Sequence, residues 1–437
     1  MIRPLAVLSA LLAAASPLAA QEGSPAGPVP VQLLTARRDA LAREVGTGVV
    51  IVRSAEERSI EGDYPQDSDY RENNDFFYLT GLEAPGGWLA VSAKDSAVAD
   101  VQLFLPARDE RSERWTGPKL GPDSVAARLT GIEGVHPADS MQTLIGRAVR
   151  SMSSPARTGG IYMRKNEAAL EEPFTRQLLL GSAMVRDVRP LMARLRVVKD
   201  ADEIARLRKA IGITAEAQRE AMKAAAPGMW EYEIEAVIEG TFRRRGAERV
   251  GFPSIVGSGI NSTTLHYDKS RRQTKPGDLV VMDIGAEYGY YSADVTRTIP
   301  ITGKFTPRQR QIYDLVYATQ QAAIDSTRPG ITIQRLSQIA SKYMQEHSGT
   351  LCGAEPCNRY YIHGLSHWLG MDVHDVGGSL QQPLQPGMVF TIEPGIYIPE
   401  EELGVRIEDD ILVTATGAEV LSAGAPRKAE EVERAMR

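Results

Sequence analysis

The sequence predicts a mixed α/β protein with two domains that follow a short leader. Its 437 residues are 43% apolar and 24% charged, which is an ordinary soluble composition, and a chain of this length is expected to form two or three domains. Strand-like and helix-like segments alternate over residues 31–190, which indicates a smaller N-terminal α/β domain. Residues 195–437 begin with long amphipathic helices and end with short apolar strands, which indicates a second domain.

The elements of the first domain follow from apolar periodicity and from Gly and Pro punctuation. Leucines at helical spacing predict a helix over residues 31–44, and the remaining segments alternate between the two types of element. Strands are predicted at 48–52, 76–80, 88–91 and 101–105, and helices at 125–129 and 140–151.

The second domain starts with a helix whose N-terminus has the pattern of a capping box. Asp200 and Glu203 stand three residues apart, and the apolar residues after them recur at helical spacing until Pro227-Gly228. Further helices are predicted at 230–245, 309–327 and 333–347, and strands at 388–392, 395–398, 405–407 and 411–413.

The first twenty residues have the pattern of a cleavable signal peptide. Arg3 precedes an apolar run, small residues at Ala19-Ala20 mark a cleavage site, and residues 21–30 form a flexible Gly/Pro/Ser-rich leader. A periplasmic or secreted protein is therefore expected, without a membrane span. The net charge of −6 and the absence of a basic stripe argue against a nucleic-acid partner.

The only two cysteines, Cys352 and Cys357, stand close together just before a histidine-rich segment. In an oxidising compartment, a local disulfide is favoured over two free thiols.

The candidate chemistry begins with two aspartates in residues 279–297, LVVMDIGAEYGYYSADVTR. If Tyr288-Gly289 is a two-residue hairpin turn, Asp283 lies directly opposite Asp294. Like charges at that distance, about 5 Å between Cβ atoms, destabilise a hairpin unless a cation lies between them. A divalent metal is one explanation, and a slipped register or a bulge that exposes one aspartate is the other.

A second acidic pair and a histidine cluster strengthen the metal interpretation. Glu393 ends the apolar run MVFTIEPG, and Glu408 interrupts the apolar run VRIEDDILV, where burial is costly unless the acid is paired or bound to a metal. Three of the six histidines fall within residues 363–375, HGLSHWLGMDVHD. Four carboxylates balance two divalent ions, which is the composition of a hydrolytic two-metal site.

These segments resemble the signature blocks of the metallopeptidase family with the pita-bread fold. DIGAEYGYYSADVTRT, HGLSHWLGMDVHD, TIEPGIY and RIEDDI carry the resemblance, and the form HGLSHWLG favours the Xaa-Pro aminopeptidase branch over prolidase. NNDFFYLTGLEAPGG and LFLPARDERSERWTG resemble that branch's N-terminal domain. The resemblance implies a C-terminal pita-bread catalytic domain that removes an N-terminal residue preceding proline.

The resemblance also implies a set of metal ligands. Asp283 would bind one ion, Asp294 and Glu408 would bridge two ions, and His367 and Glu393 would bind the second ion. Mn²⁺ is the favoured metal, with Zn²⁺ or Co²⁺ as alternatives.

The remaining site residues are assigned roles around the scissile bond. The resemblance implies that His266 and His374 flank this bond and that His363 binds substrate or passes a proton to the proline nitrogen. Glu393 would shuttle a proton, and Arg406 would hold a metal-binding carboxylate.

Three other functions remain open on the sequence alone. A prolidase would cleave only dipeptides, a non-catalytic protein of this fold would bind without turnover, and an amidinohydrolase of the creatinase type would need no metal. The resemblance further implies a homo-oligomer, either a dimer or a tetramer.

Overall fold

The computed structural model describes residues 25–57, 59–61, 64–67, 70–152, 159–165, 173, 176–177 and 185–437. The predicted signal peptide and the first part of the leader lie outside these residues. The chain divides into two compact units, and the division falls between Val188 and Arg189. Among the described residues, no helix combines the length and the apolar character that a membrane crossing requires.

The strands described in the first unit are β1 (Gly48–Arg53), β2 (Ser59–Glu61), β3 (Tyr64–Asp67), β4 (Trp88–Lys94), β5 (Ala97–Leu105), β6 (Gly134–Pro137), β7 (Gly160–Met163) and β8 (Val185–Asp187). Six of them form a mixed sheet in the order β6-β5-β4-β1-β7-β8, and β2 and β3 form a separate two-stranded sheet. The pairs β1/β4 and β4/β5 are antiparallel, and β5/β6, β1/β7 and β7/β8 are parallel. The helices of the first unit include α1 (Val31–Val45), α2 (Asn74–Thr80), α3 (Glu110–Thr116), α4 (Ser124–Thr130) and α5 (Met141–Met152).

Residues 76–80, predicted as a strand, belong to helix α2. The side chain of Asn73 caps this helix by accepting hydrogen bonds from the backbone N–H groups of Asp75 and Phe76. Gly81 ends it with a φ of +68°, the left-handed conformation that closes many helices. The aromatic residues of this segment favour a strand, but the cap residues at both ends decide the conformation.

The second unit contains two pairs of long helices and several short antiparallel sheets. The strands are β9 (Arg249–Val250), β10 (Ile255–Ser258), β11 (Leu279–Ile284), β12 (Ala286–Tyr288), β13 (Tyr291–Ser292), β14 (Val295–Pro300), β15 (Val389–Ile392), β16 (Gly395–Ile398), β17 (Leu403–Arg406), β18 (Asp409–Val413) and β19 (Ala418–Val420). The sheets have the orders β10-β11-β14, β13-β12-β9, β15-β18-β19 and β16-β17. The helices include α6 (Arg189–Arg196), α7 (Ala201–Ala224), α8 (Glu231–Arg244), α9 (Pro307–Ser326), α10 (Ile333–His347) and α11 (Ala429–Ala435).

Helix α7 begins with the predicted capping box. The Asp200 carboxylate accepts from the N–H of Glu203 at 2.9 Å, and the Glu203 carboxylate accepts from the N–H of Asp200 at 2.9 Å. The apolar faces of α7, α8 and α9 pack with β10, β11 and β14 in one core. Asp283 lies on β11 of this core, and Asp294 directly precedes β14.

The predicted disulfide between Cys352 and Cys357 is present. The Cys357 side chain is fully buried against the core of the second unit, and its backbone N–H donates to Ser348 Oγ at 2.9 Å. The bond therefore fixes the segment that leads into the histidine cluster.

Candidate metal centre

One cavity of about 290 Å³ in the second unit is lined by every residue that the sequence assigns to the site. Its wall includes His266, Asp283, Asp294, His363, His367, His374, Glu393, Arg406 and Glu408, together with Leu265, Gly364 and Ser366. These residues come from four separate parts of the sequence, and the folding of the second unit brings them together.

The first acidic pair lies on a β-hairpin whose register differs from the predicted one. Its turn is formed by Gly289 and Tyr290, one position later than predicted, and both have positive φ, 56° and 73°. This backbone geometry matches the twist of two-residue hairpins. Asp283 consequently pairs with Thr296, so the prediction that it lies directly opposite Asp294 is wrong.

Asp283 and Asp294 nevertheless meet in the cavity. A turn one position later moves the pairing by two residues, and an even shift keeps a side chain on the same face of a strand pair. The carboxylate of Asp294 lies close enough to Asp283 for their mutual repulsion to affect its proton affinity. The two aspartates are thus diagonal neighbours.

The second acidic pair lies where two ladders of hydrogen bonds meet. Ile392 pairs with Asp409 on one side and Gly395 pairs with Arg406 on the other, so the register places Glu393 opposite Glu408 in the gap between them. Neither glutamate belongs to a strand, which leaves both side chains free to turn into the cavity.

Buried glutamines support the backbone where the strands part. Gln218 of α7 donates through Nε2 to one carbonyl of β11 at 3.0 Å and to one of β14 at 2.8 Å. Gln320 of α9 donates in the same way to Ile392 O at 2.9 Å and Ile407 O at 3.1 Å. Each long helix therefore satisfies carbonyl groups beside one acidic pair, since buried carbonyls require donors.

His367 lies at the centre of the acidic groups. Its Nε2 atom is 3.2 Å from Asp294 Oδ2, 3.6 Å from Glu393 Oε1 and 3.8 Å from Glu408 Oε1. One ligand atom each from Asp294, His367 and Glu408 lie within 4.8 Å of one another. This arrangement of oxygen and imidazole donors suits a divalent cation.

Several carboxylate oxygens in the cavity receive no hydrogen bond from a described donor. These are Asp283 Oδ1, Asp294 Oδ1 and Glu408 Oε1, and each is buried. A buried anionic oxygen without a donor is costly, and a metal ion removes that cost. The residues therefore fit the two divalent ions that the sequence implies.

The proton affinities of the acids indicate the same need for a cation. Burial, followed by the charges of neighbouring carboxylates, raises the pKa of Asp294 and of Glu408 well above their ordinary values. Burial also raises the pKa of Glu393 to about 7. Without a metal the cluster holds protons, and cations must replace those protons before all the acids ionise together.

Arg406 ties the first acidic pair to the histidines. Its Nη2 atom lies 2.6 Å from Asp283 Oδ2, its Nη1 atom donates to Tyr397 Oη at 3.0 Å, and that hydroxyl lies 2.8 Å from His363 Nε2. Sequence reasoning missed Tyr397, although it belongs to the quoted block TIEPGIY. It also missed Thr296, whose hydroxyl donates to Glu408 Oε2 at 2.6 Å.

Two histidines of the cavity, His363 and His374, bind a proton more weakly than an ordinary histidine. Burial, followed by the charge of Arg406, lowers the pKa of His363 to about 4, and burial also lowers the pKa of His374. The rings of His367 and His374 lie 4.1 Å apart between centroids. Neutral imidazoles beside the acids can donate or accept a hydrogen bond without adding charge.

Buried cations hold the loop of His374 in place. The next residue, Asp375, pairs with Arg196 at 2.5 Å and with Lys199 at 3.2 Å, and all three side chains are about 1% exposed. Sequence reasoning did not identify this cluster, because its members stand almost 180 positions apart.

Comparison with known sequences identifies two families along the chain. The profile of metallopeptidase family M24 matches residues 205–415, and that of the aminopeptidase P N-terminal domain matches residues 34–155. The Xaa-Pro aminopeptidase of Escherichia coli strain K12 is 37% identical over 429 residues, which cover 92% of this chain and 96% of that protein. Xaa-Pro aminopeptidase 3 of Mus musculus is 34% identical over 392 residues, which cover 83% and 76%.

Solved structures give the same assignment for the fold. Proline aminopeptidase P II from Yersinia pestis is 35% identical with a TM-score of 0.84, and the match covers 93% of this chain and 99% of that one. Aminopeptidase P from E. coli with the inhibitor Pro-Leu is 34% identical with a TM-score of 0.84, over 94% and 99%. The predicted pita-bread fold with a smaller α/β domain is thereby confirmed. The chain belongs to metallopeptidase family M24, in the aminopeptidase P branch.

Proposed function

We propose that this protein is a dinuclear-metal Xaa-Pro aminopeptidase, which hydrolyses the bond between an N-terminal residue and a following proline. The observation that carries the proposal is the meeting of four carboxylates and His367 in one cavity of a chain from this peptidase branch. Two relatives that match over 96% and 88% of their own length are named for this activity, which disfavours the prolidase alternative. A non-catalytic protein would have no need to bury this many acids together.

We assign the residues to the two ions as the resemblance to this family implies. Asp283, which Arg406 also holds, would be a terminal ligand of one ion, and Asp294 and Glu408 would bridge the pair. His367 and Glu393 would complete the second ion. A donor set of carboxylates with one imidazole favours Mn²⁺, and Zn²⁺ or Co²⁺ are the alternatives.

The protein groups supply orientation and proton transfer. When bound, the two ions would lower the pKa of a water molecule and polarise the scissile carbonyl. Glu393 lies 3.6 Å from both His363 and His367, where it can accept a proton from the attacking water. His363 would then pass a proton toward the leaving nitrogen, and His266 and His374, which line the same cavity, would flank the carbonyl.

Proline at the second position explains why a dedicated enzyme is needed. The imide nitrogen of proline has no N–H and cannot make the hydrogen bond that ordinary aminopeptidases use at this peptide bond. The preference for proline is carried over from the named relatives.

The decisive experiment is release of the first residue from Arg-Pro-Pro by the Mn²⁺-loaded mature protein. We expect free arginine to appear, and a chelated sample should be inactive until Mn²⁺ is restored. Protein that holds two ions per chain and releases no arginine would contradict the proposal. Cleavage of Arg-Pro but not of Arg-Pro-Pro would instead identify a prolidase.

We also propose export and self-association. The disulfide between Cys352 and Cys357 suits an oxidising compartment, as does a signal peptide that ends near Ala20. The mature N-terminus and the cell fraction of the expressed protein test export. Light scattering tests the proposed dimer or tetramer.

A further inference from the structure

One buried glutamate of the second unit, Glu231, stands apart from the cavity acids and makes a different set of contacts. Glu231 is the first residue of α8, and its side chain is completely buried. It does not line the cavity. A buried carboxylate is stable only when donors or cations surround it, so its partners show what it holds.

The Glu231 carboxylate accepts hydrogen bonds from five donor groups. These are the N–H of Ser258 at 2.7 Å, the hydroxyl of Ser258 at 2.7 Å, Asn261 Nδ2 at 3.0 Å, Tyr267 Oη at 2.9 Å and the N–H of Arg272 at 2.9 Å. All of them belong to residues 258–272. The single side chain of Glu231 is therefore hydrogen-bonded to the start, the middle and the end of this segment.

The same segment forms one wall of the metal-site cavity. Leu265 and His266 line the cavity, and the carbonyl of Leu265 accepts from Arg406 Nη2 at 3.3 Å. Tyr267, which donates to Glu231, is the next residue along the chain. His266 is thus held between the metal-binding side of the cavity and the buried carboxylate.

We infer that Glu231 is a positioning residue of the aminopeptidase, and that it acts by holding His266 over the cavity. This inference rests on the proposed function. Glu231 does not line the cavity that contains the ligand cluster, so it orients the segment without taking part in the chemistry. Its role corresponds to that of groups that orient the residues of an active site from behind.

The charge of Glu231 is essential to this role. Each carboxylate oxygen accepts from a backbone N–H, so an amide in either orientation would turn its NH₂ group toward an N–H that cannot accept a hydrogen bond. Glu231→Gln keeps the size of the side chain and therefore tests the hydrogen bonds rather than the packing.

The test is a double-mutant cycle with His266→Ala. Glu231→Gln should lower kcat/KM for Arg-Pro-Pro by about 10- to 100-fold, as removal of other orienting groups does. In the His266→Ala background the same change should alter kcat/KM by no more than about twofold, because the residue through which Glu231 acts is already absent. Equal losses in both backgrounds, or no loss in either, would overturn the inference. If Glu231→Gln does not fold, Tyr267→Phe removes one of the five donors and takes its place in the cycle.

A second measurement does not depend on turnover. Hydrogen exchange of peptides that cover residues 259–272 should be faster in Glu231→Gln than in the parent protein, while the metal content per chain stays the same. Unchanged exchange there would also overturn the inference. Protein that binds metal but releases no arginine would refute the proposed activity alone, because the exchange experiment still reports on the anchor.

Glu72→Gln is the matched control. Glu72 is a similarly buried glutamate in the first unit, and it accepts from Tyr70 Oη at 2.7 Å and from the N–H of Ala84 at 2.9 Å. This change should leave exchange over residues 259–272 unaltered and kcat/KM within about twofold.

Discussion

The raised proton affinity of Glu393 makes the stability of the metal-free protein depend on pH. Burial raises the pKa of this carboxyl in the folded, metal-free protein from an ordinary value of 4.5 to about 7. Between these values the unfolded chain is ionised while the folded protein still binds the proton. Since the folded state holds more protons, its stability falls as pH rises through this window and is level above it.

The size of the effect follows from the two pKa values. The difference is about 2.5 pKa units, which corresponds to about 3 kcal/mol. The Glu393 side chain is 17% exposed, so solvent screens little of this difference. For a unit of this size, about 3 kcal/mol corresponds to a change of roughly 6–12 °C in the melting temperature of the second unit.

A comparison with Glu393→Gln isolates this contribution from other acids. Both proteins are stripped of metal and melted in a calorimeter between pH 4.5 and pH 8.5. The variant should gain stability relative to the parent as pH rises, whereas Glu400→Gln, which alters an exposed acid, should show no such trend. Mn²⁺ should stabilise the parent more at pH 8 than at pH 5, because ligands must lose their protons to bind it. A difference between parent and Glu393→Gln that stays constant across this range would refute the reasoning.

Three further predictions follow from the contacts of the second unit. Asp294→Asn should lose dinuclear metal loading together with turnover, as metal analysis and arginine release would show; two ions retained per chain would contradict the bridging role. Asp409→Asn should cost about 3–5 kcal/mol in urea unfolding, because it removes the negative charge that lies 2.7 Å from fully buried Arg297. Arg208→Ala, which breaks the exposed ion pair with Glu419, should lower the free energy of unfolding by at most about 1 kcal/mol. Equal costs for Asp409→Asn and Arg208→Ala would refute the contrast between a buried and an exposed ion pair. Replacing both Cys352 and Cys357 by serine should cost about 2 kcal/mol, and a reductant should then destabilise only the parent.

The sequence predicts elements well where local chemistry decides the structure. The capping box at Asp200 and Glu203 forms as expected, and α10 covers the predicted residues. The aromatic residues at 76–80 favour a strand, but the caps at Asn73 and Gly81, which are equally visible in the sequence, decide in favour of a helix.

The site was predictable as a set of acids and histidines but not as a network. Charged residues inside apolar strands stand out because their burial is costly, and the nine candidates do line one cavity. Tyr397 and Glu231 have no such signal, since a tyrosine in a strand and a glutamate at a helix start are ordinary. Their roles come from partners far along the chain, which only the folded structure brings within hydrogen-bonding distance.

The hairpin that carries Asp283 and Asp294 shows why a wrong register still led to the right site. The turn is formed by Gly289 and Tyr290, which both have positive φ. Positive φ is uncommon for tyrosine, so the sequence does not indicate that Tyr290 belongs to the turn. A turn moved by one position changes the pairing by two residues, and faces alternate with a period of two. A register error of one residue would have turned Asp294 to the opposite face, away from Asp283, and would have removed the reason to expect a metal. The prediction of a metal therefore depends on both aspartates lying on the same face of the strand pair. The exact pairing decides only whether the two carboxylates lie directly opposite each other or along a diagonal.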